Sequence, residues 1–160
     1  LVILPALNEG KNIANTIQGI HAQIPHADIA VINDGSVDDT AQQARKVGAI
    51  VLTMPYNVGI GAAVQTGFLF AAYHGYDIVV RNDGDGQHSP HNIVSLVNAI
   101  QSDVADVVIG SRFIEKQGDY GTSLPRRLGI TLLAKLLSLI THQTSTDPTS
   151  DFCAFNRRRL

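Results

Sequence analysis

The stretch that decides the fold spans residues 29–47 and reads IAVINDGSVDDTAQQARKV. Its first four residues, at 29–32, form the continuous apolar run that is typical of a buried strand. Polar residues follow at 33–36, and the pattern over 38–47 predicts a helix. A strand followed at once by a helix is the unit from which parallel sheets are built.

The same alternation covers most of residues 1–111. Further strands are predicted at 1–4, 49–53, 77–81 and 106–109, and further helices at 11–21, 61–74 and 90–101. Apart from polar or charged residues at their ends, the strand segments are continuous apolar runs, which is typical of strands covered on both faces. We therefore expect an α/β fold with a mainly parallel sheet flanked by helices.

The composition fits one globular domain. The chain has 160 residues, of which 44% are hydrophobic and 16% charged, so it can bury a core and is not expected to be disordered. The single cysteine, Cys153, excludes an internal disulfide bond and a cysteine-based zinc cluster. A sequence pI of about 6.3 argues against generic nucleic-acid binding.

Both ends of the sequence read as though they continue. No Met precedes Leu1, residues 1–4 already form the first predicted strand, and residues 156–160 run into a basic cluster. We expect residues 1–160 to be a single domain cut from a longer chain. The sequence shows no signal peptide, and no apolar run reaches the roughly 20 residues of a membrane-spanning helix.

Charge is distributed unevenly along the chain. Residues 1–111 carry ten acidic residues and four Lys or Arg, whereas residues 112–160 carry four acidic residues and eight Lys or Arg. An acidic half beside a basic half suits a site that holds a metal ion next to phosphate groups.

Polar residues follow four of the five predicted strands. Ligands of open parallel sheets bind beyond the carboxyl ends of the strands. Those positions are filled by residues 5–9, 33–36, 82–88 and 110–112. We expect these four segments to form one cleft.

The segment Asp83-Gly84-Asp85 is the most informative of the four. Two carboxylates in a Gly-containing turn can converge on one hard cation, and Mg²⁺ and Mn²⁺ prefer oxygen ligands. Gln87 adds an amide oxygen and His88 a nitrogen. The alternative is an ordinary acidic turn, because Asp-Gly is a common turn pair.

Two acidic residues at strand ends are candidates for binding a nucleoside. Asp34 and Glu9 can each accept hydrogen bonds from the N–H groups of a base or from ribose hydroxyls. Near Asp34, Ser36 or Asp38 is expected to cap the following helix. The alternative for Glu9 is a favourable interaction of its charge with the helix dipole.

Residues 57–63 form a Gly-rich entry to a helix, and Arg112 follows the fifth strand. Backbone N–H groups around Gly61 can bind an anion, or the small residues can allow close helix packing. Arginine is suited to bidentate contact with phosphate. The alternative for Arg112 is an ion pair with an acidic residue at a neighbouring strand end.

An apolar helix is predicted in the last third of the chain. It opens at Arg126 and Arg127 and is apolar over most of its circumference up to residue 140, with Lys135 inside it. It is either a core helix or a helix that lies at a membrane interface next to anionic lipid.

Asp147 and Asp151 follow that helix and lie close in sequence to Arg157–Arg159. Either carboxylate can serve as a base or hold a cationic partner. The alternative for each is a residue of a turn or a helix cap.

Taken together, these segments resemble family 2 glycosyltransferases, and more narrowly the dolichyl-phosphate and polyprenyl-phosphate sugar synthases. The resemblance rests on residues 5–9, 33–40, 57–63, 83–88, 110–113 and 147–152, which occur in the family's order. It implies a Rossmann-like nucleotide-sugar-binding fold of the GT-A type. It also implies metal-dependent transfer of a sugar from a UDP- or GDP-sugar to a polyprenyl or dolichyl phosphate.

The resemblance implies roles for particular residues. A divalent cation, Mg²⁺ or Mn²⁺, would be bound by Asp85 and Gln87, with Asp83 close by. Arg112 and Arg127 would face the diphosphate or the acceptor phosphate. The residues that would bind the nucleotide sugar are Pro5, Leu7, Asn8, Glu9, Asp34 and Gly61.

One motif departs from the family pattern. Many relatives read Ser-Gly-Phe-Arg where residues 150–153 of this chain read Ser-Asp-Phe-Cys. The usual arginine is missing, and Asp151 becomes a candidate for a base or for positioning the acceptor.

The sequence leaves two kinds of sugar acceptor open, a lipid phosphate and a glycan hydroxyl. A polyprenyl phosphate is already anionic and needs cations to position it, whereas a hydroxyl of a cell-envelope glycan needs a base, either Asp151 or Asp147. In both cases the cation on Asp85, together with Arg112, would neutralise charge on the leaving diphosphate. A third possibility is a non-catalytic nucleotide-binding module. With the lipid acceptor we expect a location at the cytoplasmic face of a membrane.

Overall fold

The computed structural model describes residues 1–83, 91–111, 133, 135–140, 147 and 150–159. Its elements are β1 Val2–Ala6, α1 Ile13–Gln23, β2 Ile29–Asn33, α2 Thr40–Lys46, β3 Ile50–Thr53, α3 Ile60–His74, β4 Ile78–Arg81, α4 His91–Gln101, β5 Val107–Ile109, β6 Cys153–Asn156 and a 3₁₀ turn at Arg157–Arg159. The five strands and four helices predicted before residue 112 are confirmed, with small shifts at their ends.

The described strands form one sheet in the order β3-β2-β1-β4-β6-β5. Strands β1 to β4 pair in parallel, and β6 lies antiparallel between β4 and β5. The mainly parallel α/β sheet is therefore confirmed. Strand β6 is not among the predicted strands, because it is short and its pairing partners lie far away in sequence.

Helices cover the sheet on both faces. One face buries Leu4 and Val31 against α1, α2 and α4, and the other buries Ile3 and Ile32 against α3. Burial of each such side chain stabilises the fold by about 1.5–3 kcal/mol. This two-sided burial explains why the strands read as continuous apolar runs rather than alternating ones.

Helix α2 begins at Thr40, and its N-cap is Asp39, whose side chain makes no capping hydrogen bond. The prediction that Ser36 caps this helix is wrong, whereas the predicted capping contact from Asp38 is confirmed, although Asp39 is the residue that directly precedes the helix. Asp38 Oδ1 does accept a hydrogen bond from the N–H of Thr40 (3.0 Å). Ser36 Oγ and Asp38 Oδ2 instead accept hydrogen bonds from the loop after β1.

The direction of β6 decides where the C-terminal residues lie. Cys153 pairs with Arg81, and Asn156 pairs with Ile78. The start of β6 therefore lies at the edge of the sheet where β1, β2 and β4 end, which we call the carboxyl edge. Arg157–Arg159, which follows β6, lies at the opposite edge.

Residues 133 and 135–140 are helical. In the described parts of the chain, no helix combines the length and the apolar character that a bilayer crossing requires.

Candidate functional site

The loops that follow β1 and β2 meet at the carboxyl edge. Ala6 and Asn33, the last residues of the two strands, are partners in the parallel register. The N–H of Asp34 donates to the carbonyl oxygen of Ala6 (2.9 Å), which fastens the second loop to the end of the first strand. Asp83, which follows β4, lies at the same edge because β4 is the other parallel neighbour of β1.

Asp34 is buried and organises the Gly-rich segment that precedes α3. Its Oδ1 accepts a hydrogen bond from the N–H of Val58 (2.8 Å), and its Oδ2 accepts one from the N–H of Gly59 (3.0 Å). A buried carboxylate needs such donors because its desolvation is costly. The structure thus gives Asp34 a role in shaping the loop, and its predicted contact with a nucleoside stays a prediction.

The Gly-rich segment leaves open space at the start of α3. A Cβ added at Gly59 or Gly61 would meet no atom within 4 Å. The interpretation of small residues as close-packing residues is therefore wrong for these two glycines but confirmed for Ala63, which is buried in the core. Anion binding by the N–H groups around Gly61 stays a prediction. Close packing also occurs at Gly67, where a Cβ would lie 3.1 Å from Ile3 Cδ1.

The four predicted nucleotide-binding residues between positions 5 and 9 differ in exposure. Pro5 is a buried residue within β1, whereas Leu7 and Asn8 are exposed. The Oε2 of Glu9 accepts a hydrogen bond from Asn12 Nδ2 (3.0 Å). Leu7, Asn8 and Glu9 are therefore the members of this set that a ligand at the carboxyl edge can reach.

Asp151 lies at the carboxyl edge and forms an ion pair. Its Oδ1 is 2.7 Å from Nη2 of Arg81, the last residue of β4. The Arg81 side chain is 18% exposed and that of Asp151 53%. Of the two functions predicted for Asp151, holding a cationic partner is the one that the structure describes, and general-base catalysis stays a prediction.

Arg81 is a site residue that the sequence reasoning did not single out. The available signal is a charge that ends an otherwise apolar strand, Ile78-Val79-Val80-Arg81. Its pairing with Asp151 depends on β6 lying next to β4, which no local pattern indicates.

Asp147 is buried, and its carbonyl oxygen accepts a hydrogen bond from the N–H of Ser150 (3.2 Å). A hydrogen bond of this kind is typical of a β-turn. It agrees with the alternative given above, in which Asp147 is a turn residue rather than a base.

Cys153 lies directly across from Arg81 in the sheet. Burial raises the pKa of its thiol from 9.0 to about 11, partly opposed by the positive charge of Arg81. The thiolate is the nucleophilic form of cysteine. The environment of Cys153 therefore argues against a catalytic nucleophile.

A comparison with known protein families covers the entire sequence. The family model described as "Glycosyl transferase family 2" matches residues 1–160. The chain belongs to this family. The resemblance inferred from the six sequence segments is confirmed, and the fold is the GT-A type of these glycosyltransferases.

Two curated proteins and one solved structure illustrate the similarity. Polyprenol monophosphomannose synthase of Mycolicibacterium smegmatis is 33% identical over 120 residues, which cover 71% of this chain and 45% of that protein. UDP-N-acetylglucosamine--dolichyl-phosphate N-acetylglucosaminyltransferase of Methanococcus voltae is 28% identical over 176 residues, covering 99% and 70%. Glucosyl-3-phosphoglycerate synthase from Mycobacterium tuberculosis, in complex with Mn²⁺, UDP-glucose and phosphoglyceric acid, superposes with a TM-score of 0.72.

That structure is 27% identical to this chain, and the match covers 99% of this chain and 57% of the synthase. The chain thus spans about half the length of the mannose synthase and of the phosphoglycerate synthase.

Three residues of this family 2 chain are predicted to bind the metal ion, namely Asp83, Asp85 and Gln87. Of these, Asp83 is the one that the structure describes. It is half-buried, and the neighbouring Asn82 is buried with an Oδ1 that has no hydrogen-bond partner among the described residues. Carboxylate and amide oxygens are the ligands that Mg²⁺ and Mn²⁺ prefer, so these side chains fit a divalent cation.

Four predicted site residues lie outside the described residues, namely Asp85, Gln87, Arg112 and Arg127. Within residues 1–83, 91–111 and the described C-terminal pieces, no three His, Cys, Asp or Glu side chains gather as a metal site.

The basic triplet Arg157–Arg159 is remote from this edge of the family 2 domain. Arg157 Nη1 is 3.8 Å from Asp77 Oδ1, and Arg158 Nη1 is 3.7 Å from Asp103 Oδ1. The expectation that the basic half adjoins the acidic strand ends is therefore wrong for these arginines. Closeness in sequence to Asp151 does not become closeness in space, because β6 runs the length of the sheet between them.

Proposed function

We propose that residues 1–160 form the catalytic domain of a glycosyltransferase that moves a sugar from a nucleotide-diphosphate sugar to a polyprenyl phosphate. The observation that carries the proposal is the convergence of the loops after β1 and β2 and of Asp83 at the carboxyl edge of a family 2 fold. In open parallel sheets this edge is where nucleotides bind.

The donor site would use the exposed loop after β1 and the carboxylates after β4. Leu7, Asn8 and Glu9 would contact the nucleoside, and Asp34 would act through the Gly-rich loop that it holds. Asp83 and Asp85, with Gln87, would bind Mg²⁺ or Mn²⁺. The cation would neutralise negative charge on the leaving nucleoside diphosphate. The Mn²⁺ and UDP-glucose in the similar synthase structure support this assignment.

The lipid phosphate acceptor is supported by the names of two relatives and by the state of Asp151. A phosphate acceptor has no proton that must be removed, so the site needs positive charge for positioning rather than a free base. The Asp151 carboxylate already contacts the guanidinium of Arg81. Arg112 and Arg127 would supply the contacts with phosphate.

The helical residues near the C-terminal third support a position at a membrane surface. Apolar side chains are 40–72% exposed there, at Leu133, Leu136, Leu139 and Ile140. This exposure favours the interfacial alternative over a core helix, because a core helix would bury them. Lys135, exposed on the same segment, can contact anionic lipid. The cytoplasmic face of the membrane stays a prediction.

Binding of nucleoside diphosphates tests the donor site. We expect either UDP or GDP to bind at least about tenfold more tightly with Mn²⁺ than with EDTA, as measured by isothermal titration calorimetry. Asp85→Asn should abolish the gain from Mn²⁺ because it removes a charged ligand of the cation. Asp103→Asn removes the same charge at the opposite edge of the sheet and should leave the gain intact.

Failure of both nucleotides to bind would contradict the proposal. Binding that is equally tight with EDTA and with Mn²⁺ would show that nucleotide binding does not depend on a divalent cation. An Asp85→Asn variant with an unchanged response to Mn²⁺ would exclude Asp85 as a ligand.

A further inference from the structure

Three consecutive backbone N–H groups after β1 are held by side chains of the loop after β2. The N–H of Asn8 donates to Ser36 Oγ (2.9 Å), that of Glu9 to Thr40 Oγ1 (2.8 Å), and that of Gly10 to Asp38 Oδ2 (3.0 Å). We call this set of contacts the loop clamp. It joins two segments about thirty residues apart at the carboxyl edge.

Further hydrogen bonds support the clamp, both between the two loops and within the second loop. The side chain of Asn8 returns a contact, since its Oδ1 accepts a hydrogen bond from the N–H of Val37 (3.0 Å). Within the second loop, Asp38 Oδ1 accepts hydrogen bonds from both the N–H and the hydroxyl of Thr40. Asp38 therefore orients Thr40 while it binds Gly10 itself.

The first loop adopts a conformation that needs such support. Asn8 has a φ of +57°, in the left-handed region that few non-glycine residues adopt. At Gly10 a Cβ would lie 2.1 Å from Asp39 Oδ1 and 2.9 Å from Asp38 Oδ2, so the carboxylates of the second loop lie directly against this backbone position. Strained backbone persists only where surrounding contacts determine it, and it is common at binding sites.

Helix capping explains one contact of the clamp residues, since Asp38 Oδ1 accepts from the N–H of Thr40 at the start of α2, and it does not explain the contacts with the loop after β1. The side chain of Asp39, the N-cap of α2, makes no capping hydrogen bond, and neither does that of Asn12, the N-cap of α1. Polar side chains before both helices are available for capping. The oxygens of Ser36 and Thr40 and one oxygen of Asp38 instead bind the loop that presents Leu7 and Glu9.

We propose that Ser36, Asp38 and Thr40 are positioning residues for the donor pocket. They hold the backbone of residues 7–10 in its binding conformation before the nucleotide arrives. If the loop is already ordered before binding, nucleotide binding does not have to offset the entropic cost of ordering it. This inference rests on the proposed function, since it assumes that the loop contacts a nucleotide sugar.

Two matched pairs of variants isolate the clamp. Thr40→Val removes the hydroxyl with almost no change in shape, whereas Thr40→Ser retains it. Asp38→Asn removes one of the two acceptor oxygens. Asp39→Asn makes the same charge change at a neighbouring residue, whose carboxylate, among the described residues, accepts a hydrogen bond from Gln43 rather than from the loop after β1. Amide hydrogen exchange of residues 8–10 in the free protein measures the clamp without any ligand.

We expect Thr40→Val and Asp38→Asn to speed amide exchange at residues 8–10 at least about tenfold, with Thr40→Ser and Asp39→Asn close to wild type. In the same two clamp variants, the KM for the nucleotide sugar and the Kd for its nucleoside diphosphate should rise about tenfold. The kcat at saturating donor should change less than about twofold, because chemistry occurs at groups that the clamp does not touch.

Three results would overturn the inference. Unchanged exchange in Thr40→Val would show that the clamp does not hold the loop. Faster exchange with an unchanged KM would show that loop order does not serve donor binding. A fall of kcat with constant KM would assign the residues to another step. If the wild-type protein binds no nucleotide, the proposed function fails first, and the exchange data still decide whether the clamp exists.

Discussion

The carboxylate of Asp34 is buried, and each of its two oxygens accepts one backbone hydrogen bond. Val58 and Gly59 each donate a backbone N–H to it from a segment more than twenty residues away. A carboxylate can accept about four hydrogen bonds, so these two contacts leave capacity for a ligand. The sequence places Asp34 at a strand end, but the partners that it holds depend on how β2 and α3 pack together.

Cys153 provides a prediction at the same scale. Because burial raises its pKa from 9.0 to about 11, the thiolate fraction near pH 8 should fall about a hundredfold relative to an ordinary cysteine. Reaction with Ellman's reagent at pH 8 should be at least about a hundredfold slower in the native protein than in urea. Equal rates in the two states would contradict the buried position of Cys153.

The loops around the site interlock as elements, and Gly35 shows how closely. Gly35 has a φ of +70°, and a Cβ there would lie 2.5 Å from backbone atoms of Tyr56 and Asn57. Gly48 has a similar φ of +88°, but a Cβ at that position meets nothing within 4 Å. An alanine at Gly48 would therefore introduce backbone strain alone, whereas an alanine at Gly35 would introduce both strain and a steric clash. Comparing the two variants measures the two contributions to the free energy of unfolding separately.

We expect Gly48→Ala to lower the free energy of unfolding by about 1–2 kcal/mol, from strain alone. Gly35→Ala should cost about 1–3 kcal/mol more, because backbone atoms cannot move aside as a flexible side chain can. Urea denaturation of both variants measures the difference. Equal losses would mean that the loops after β2 and β3 are not packed as described.

The elements also show what the sequence can predict. Strands β1 to β5 and helices α1 to α4 follow from local apolar periodicity, which is a property of neighbouring residues. Strand β6, the ion pair between Arg81 and Asp151, and the loop clamp join residues that are distant in sequence. Local patterns cannot contain such pairings. Motif placement at strand ends did predict that the loops after β1 and β2 and Asp83 lie together, because parallel strands bring their carboxyl ends to one edge.

At the scale of the whole molecule, the two edges of the sheet carry different charge arrangements. The carboxyl edge gathers Asp34 and Asp83, whereas Arg157 and Arg158 pair with acidic residues at the opposite edge. Such exposed pairs contribute at most about 1 kcal/mol each. Under the proposed function, Arg157 and Arg158 do not contact the phosphates, and Arg112 and Arg127 stay the residues proposed for that role.

The most direct test of the account is transfer of sugar to a lipid phosphate. The protein is incubated with UDP-glucose, UDP-N-acetylglucosamine or GDP-mannose, and with undecaprenyl phosphate in vesicles, in the presence of Mn²⁺ or EDTA. We predict that one donor yields a lipid-linked sugar with Mn²⁺, and that EDTA or Asp85→Asn lowers its rate at least about a hundredfold. Nucleotide binding without any lipid-linked product, or transfer only to a glycan hydroxyl, would contradict the account.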